Sequence, residues 1–186
     1  NILTFFRRYN HKQRMDDSNK KALKQAGMML MTVNGVGVAS FLLNAFGLKV
    51  GKYISCYTLS VFMVLAGLAH FDKSKMDFYL TIMPPILPYK EELIYLSGVF
   101  EVACGALSLI PVKSIRNIGG YLTILTLVGV FPANIYMAMD DGVLKKFGVT
   151  KQQAYARLVL QFIMIGMAYI YIDHSSDSTE SRTKDD

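Results

Sequence analysis

Glu101 is the residue on which any chemistry in this chain turns. It sits in "LIYLSGVFEVACGALSLIP", residues 93–111, as the one acid in the middle of an apolar run. A charge buried there is expensive, so the carboxyl either handles a proton or ligand or fixes packing as a neutral hydrogen-bonding group. His70, Asn134, Arg157 and Gln161 also interrupt or edge apolar stretches. Counting 1.5 Å per residue along helices that alternate in direction puts Glu101 roughly 12 Å below one membrane side, Asn134 about 8 Å and Gln161 about 6 Å. His70 and Arg157 fall nearer that boundary. These five residues form a candidate intramembrane polar cluster, with Asn134 as an expected hydrogen-bond partner of Glu101. Such a cluster could bind a lipid head group or a quinone. No G-x-S-x-G, Walker loop, H-E-x-x-H or C-x-x-C occurs, so no catalytic residue is assigned. His70 lacks companions at ligand spacing, and no metal is expected.

Residues at these depths need long apolar elements to carry them. The chain has 186 residues, 52% of them hydrophobic, with a mean hydropathy of +0.30. Four stretches approach the roughly 20 apolar residues that a bilayer-spanning helix needs: 53–71, 93–111, 118–139 and 157–172. Helices are expected because hydrocarbon offers no water to an unpaired backbone. The reading is all-α, a polytopic membrane four-helix bundle over residues 51–173. Residues 25–50 add an apolar helix that is spanning or interfacial, a fifth membrane element if it spans. Lys and Arg total 20 against 14 acids, a net charge of +6. The aromatics lie inside the apolar runs rather than among the basic residues, which argues against nucleic acid and for membrane flanks.

The small residues of the second run share one helical stripe with Glu101. Ser97, Gly98, Cys104, Gly105 and Ser108 allow close helix approach and should carry Glu101 inward. Gly129 and Ala133, four apart, read the same way in the third run. Pro132 withholds a backbone donor there, and neighbouring helices or water would satisfy the carbonyl it releases. Cys56 and Cys104 read as small packing residues. Between the first two runs, "DFYLTIMPPILPYKEE" is too Pro-interrupted to span. Phe78, Tyr79, Pro84, Pro85 and Pro88 are expected to form an interfacial turn and lid over the polar half.

The segments "AGLAHF", "DFYLTIMPPILP", "YLSGVFEVACGALSLIP" and "FPANIYMAM", in that order, resemble the DoxX-like family of small membrane proteins over about residues 52–173. The resemblance implies a four-helix membrane bundle with His70, Pro84, Pro85, Glu101, Pro132 and Asn134 at signature positions. It also implies a loose link to quinone-linked complexes, without a redox activity of the chain's own.

Outside that region lie a basic extension, residues 1–24, and a polar tail, residues 174–186. The basic start without Met reads as the remnant of a targeting region. Both extensions have little apolar surface to bury, so their order is expected to come from partner chains. Together these readings predict a non-catalytic accessory subunit of a larger membrane complex, most simply a respiratory electron-transport complex of the mitochondrial inner membrane. Its partners would be membrane lipids and other subunits. The alternatives are a quinone- or lipid-binding protein built on the Glu101 cluster and a membrane assembly factor.

Overall fold

The computed structural model describes residues 32–33, 35–48 and 50–172. The expectations for residues 1–24 and 174–186 lie outside the described residues. All regular structure within them is helical. An 11-residue helix, α1 (Gly35–Ala45), precedes α2 (Val50–Ala69). A 3-10 turn (Lys73–Lys75) leads into the short α3 (Met76–Ile82). Then follow α4 (Lys90–Leu109), α5 (Lys113–Met139), the short α6 (Asp141–Phe147) and α7 (Lys151–Tyr171). α2, α4, α5 and α7 are long and apolar enough to cross a membrane. α1 as described is shorter than a span, about 16 Å at 1.5 Å per residue.

The long helices pack in a closed cycle, α2 on α4, α4 on α5, α5 on α7 and α7 on α2. Inside lie Leu59, Met63, Cys104, Leu127, Met164, Met167 and Tyr171, each nearly or fully buried. Outside, Tyr57, Leu65, Leu125, Val159, Phe162 and Tyr169 are exposed. Lipid tails are as apolar as these side chains, so burial alone would not hold such helices together, and close packing must. The glycines supply it. A Cβ on Gly67 would lie 2.6 Å from the Gly98 carbonyl oxygen, and one on Gly105 2.7 Å from that of Ser60. α4 meets α5 as closely, where a Cβ on Gly119 would come within 2.6 Å of the Ser108 nitrogen.

Helix boundaries follow local chemistry. α7 begins six residues before the apolar run because Thr150 and Gln153 form a reciprocal capping box. That start lengthens a segment whose apolar part alone is short. α6 is absent from the periodicity reading because it has only seven residues. Its signals are terminal instead. The Asp140 carboxylate accepts from the amides of Gly142 and Val143, and Gly148 closes the helix at φ 65°. α3 and α6 together form a second, smaller core at the end of the cycle. There Ile82, Met137, Val143, Leu144 and Phe147 are buried, and Phe78 meets Phe147 edge-on with centroids 5.0 Å apart.

Candidate functional site

Chain direction alternates around the cycle, so the end of α2, the start of α4, the end of α5 and the start of α7 share one end, beneath α3 and α6. The sequence-predicted polar residues lie at this end, but as two groups rather than one.

The first group centres on Glu101. Its residue is 7% exposed, and Oε2 is buried without a hydrogen-bond partner. The nearest basic atom is His70 Nδ1, 3.6 Å away. His70 follows α2 directly and is pressed against α4, where a Cβ on Gly98 would lie 2.7 Å from its own Cβ. Its Nδ1 is 3.1 Å from the Ala66 carbonyl oxygen, a contact that requires the nitrogen to carry the hydrogen. The imidazole stacks on the Tyr79 ring of α3, with centroids 4.2 Å apart and 19° between planes. Burial pushes the Tyr79 phenol up to about 12. Arg157, partly buried near the start of α7, interacts electrostatically with that phenol.

The second group bridges α5 and α7. Asn134 Nδ2 donates to Gln161 Oε1 at 2.9 Å, and Gln161 Nε2 donates to the Leu127 carbonyl oxygen. The expected bond between Glu101 and Asn134 is corrected: Asn134 Nδ2 turns to Gln161 on α7, and Glu101 Oε2 has no hydrogen-bond partner. Gln161 serves the carbonyl one position before the Val128 carbonyl that Pro132 cannot pair, so this bond does not itself satisfy the carbonyl that the proline releases.

Other expectations divide. Gly98, Cys104, Gly105 and Ser108 are buried along the α4 stripe with Glu101, while Ser97 is partly buried and bonds back to the Ile94 carbonyl at 2.8 Å. Cys104 and Ser108 also tie the stripe locally. The Cys104 thiol approaches the Glu101 carbonyl at 3.3 Å, and the Ser108 hydroxyl donates to the Cys104 carbonyl at 2.8 Å. Ser108 also meets the Tyr171 hydroxyl at 3.0 Å. Gly129 is corrected: it is exposed, and among the described residues a Cβ added there would meet nothing within 4 Å, so it makes no close helix contact with them. Ala133 is partly buried one turn on.

The lid is corrected in its second half. α3 is the cover, through Phe78 and Tyr79. Beyond it Pro85, Ile86, Pro88 and Tyr89 are exposed, Ile86 at 89%, and Pro84 is partly exposed. The proline ring prevents the helical hydrogen bonding that would fold this stretch back, and Tyr89 turns the chain into α4 at φ 49°. Lys146 ties the cover to α6, its Nζ 2.9 Å from Asp77 Oδ2 and 2.9 Å from Thr81 Oγ1. The stacking of Tyr79 on His70 was not legible in the sequence, since nothing in a nine-residue separation across a turn predicts a ring contact. Among the described residues, no three His, Cys, Asp or Glu side chains gather where they could hold a metal ion.

Comparison with known proteins overturns the resemblance to the DoxX-like family. No curated protein and no solved structure matches the chain. The segments that suggested DoxX-like proteins combine small residues, prolines and apolar runs, which any tightly crossing set of membrane helices favours, and so do not mark one family. What matches is the model of a different family, described as a domain of unknown function (DUF8561), over residues 59–172, more than half of the chain. The matched region runs from within α2 to the end of α7, and the chain belongs to the DUF8561 family.

Proposed function

We propose that this chain is an integral membrane protein whose α2, α4, α5 and α7 form a transmembrane four-helix bundle, serving as a non-catalytic accessory subunit of a larger membrane complex. The observation that carries this reading is the contrast between its inside and its outside. The interior polar groups of α5 and α7 find partners inside the bundle, as in the Asn134–Gln161–Leu127 bonds and the contact of Tyr171 with Ser108. The outward faces are apolar along the same helices and include an open glycine, Gly129, on α5. An exposed glycine inside a helix weakens the isolated helix and gains a use where another helix packs against it. The respiratory-chain assignment came with the DoxX-like resemblance and is withdrawn with it. The basic composition of residues 1–24 is what supports a mitochondrial inner-membrane location.

The test is native purification in mild detergent. Stoichiometric neighbours are expected with the unaltered chain, and Gly129→Leu should lose them while the isolated protein stays folded. Purification as a lone chain, or transient recovery with many clients, would refute the accessory role; the second outcome would favour an assembly factor.

A further inference from the structure

The second group of polar residues is closed on itself, but the first is not. Glu101 Oε2 is buried and unpartnered, while a donor 3.6 Å away is turned elsewhere. That donor, the Nδ1–H of His70, lies between two acceptors, the Ala66 carbonyl oxygen at 3.1 Å and the carboxyl oxygen. An ionised carboxylate attracts such a hydrogen more strongly than a neutral carbonyl does, and charge-assisted bonds close to about 2.7–2.9 Å. A protonated carboxyl has no such pull. The observed geometry, in which the carbonyl holds the hydrogen, is that of a neutral Glu101.

We propose that Glu101 binds a proton and that His70 reports its presence to α3 through the stacked Tyr79. With the proton on the carboxyl, the His70 Nδ1–H stays on Ala66 and the imidazole keeps its place between Gly98 and Tyr79. When the proton leaves to water at this end of the molecule, the carboxylate draws the Nδ1–H across. The ring then shifts by somewhat under 1 Å, the difference between 3.6 Å and a charge-assisted bond. The imidazole is stacked on the Tyr79 ring with centroids 4.2 Å apart, so the movement alters that stack. No covalent bond other than O–H is made or broken. The ionisable groups facing the pair are His70 itself after α2, Tyr79 on α3, Cys104 on α4 and Arg157 on α7, with Asp72 acting on Tyr79 from the turn. On α5 Asn134 does not titrate, and the titratable groups nearer this end, Tyr136 and the capping Asp140, bond to each other. The inference is independent of the accessory role, since a subunit and a lone protein could both carry such a site.

The chain contains no Trp, so Tyr79→Trp installs a single fluorophore in the stack. The experiment uses the full chain in detergent, recording the infrared carbonyl stretch of protonated carboxyl groups and the Trp emission across pH. At neutral pH a protonated-carboxyl band is expected, and Glu101→Gln should remove it. As the pH rises the band should disappear together with one step in emission, and that step should be absent from the Tyr79→Trp/Glu101→Gln protein. Because Glu101→Gln alters a buried position, His70→Phe in the Tyr79→Trp background serves as a second variant. It keeps a ring against the introduced indole but removes the N–H, so the band should remain and the emission step be lost. A wild-type protein lacking the band at neutral pH overturns the proton site. An emission step that persists without Glu101 or without the imidazole N–H overturns the coupling.

Discussion

Gly105→Ala and Gly129→Ala are the same chemical change in two long helices, and the structure assigns them opposite consequences. At Gly105 the new methyl would stand 2.7 Å from the Ser60 carbonyl oxygen, 2.9 Å from Val64 Cγ2 and 3.0 Å from the Val64 nitrogen. Ordinary contact begins at 3.4 Å, so α4 must retreat from α2 by up to about 0.7 Å against backbone that cannot rotate away. A gap of this size forfeits a quarter to a half of each contact's attraction, about 0.05 kcal/mol per atom pair. Over the forty or so pairs in a patch the size of one buried Leu that amounts to about 2 kcal/mol, within the range for overpacked cores. Among the described residues a Cβ at Gly129 meets nothing within 4 Å, so none of this is lost there. Both substitutions carry the same gain in helix propensity, about 1 kcal/mol, so it cancels between them. The isolated protein should therefore differ by about 2 kcal/mol between the two variants, near thirtyfold in the folded-to-unfolded ratio. Gly129→Ala is expected to exceed the unaltered chain and Gly105→Ala to fall below it. Reversible unfolding in mixed micelles, followed by circular dichroism, measures both. Equal shifts in one direction would refute the assignment of Gly105 to a close crossing and of Gly129 to an open face.

Asn134→Leu removes the donor to Gln161 Oε1 and should cost about 1–3 kcal/mol in the same assay, with Asn134→Leu and Gln161→Leu less than additive because they share one bond. At α6, the Val143 amide, then the Tyr136 hydroxyl, hold the Asp140 carboxyl below the usual carboxylate range. Its folded value lies below the unfolded one, near 3.9, so the cap's contribution is fully present above that pH and is lost as pH falls through the depressed value. Exchange protection of the α6 amides should follow that course and become independent of pH in Asp140→Asn, which can still cap. Lys146→Met releases Asp77 and Thr81, and with them α3, from α6 and should change global stability by less than about 1 kcal/mol, while raising backbone exchange in α3 above that of α4.

Length and hydropathy made the four long helices legible in the sequence, and the small-residue stripe around Glu101 announced which face of α4 turns inward. That stripe was readable because helical spacing is a property of one segment. The partners of Glu101 were not, because they depend on rotation of neighbouring helices about their own axes. Depth along the bundle put Asn134 and Glu101 at similar levels, yet their helices turn these side chains to different neighbours. Gly129 was misplaced for the same reason, since small size permits an approach without requiring one. α6 escaped because a seven-residue helix shows too little period, although Asp140 and Gly148 mark its ends. The family resemblance failed where it relied on composition shared by many tightly packed membrane helices.

Asn134 and Leu127 stand on opposite sides of Pro132 in α5, and one side chain of α7 holds both. A proline is where a long helix bends most easily, and the stretch beyond it, to Met139, is an arm of about 10 Å. A swing of only about 10° there would carry its tip, and the attached α6, by roughly 2 Å. Gln161 acts as a splint across that joint, resisting the swing at two points. The stiffness of the end that covers His70 and Glu101 is therefore set from α7, so loosening one amide should let the whole roof rock while the far end of the molecule stays still.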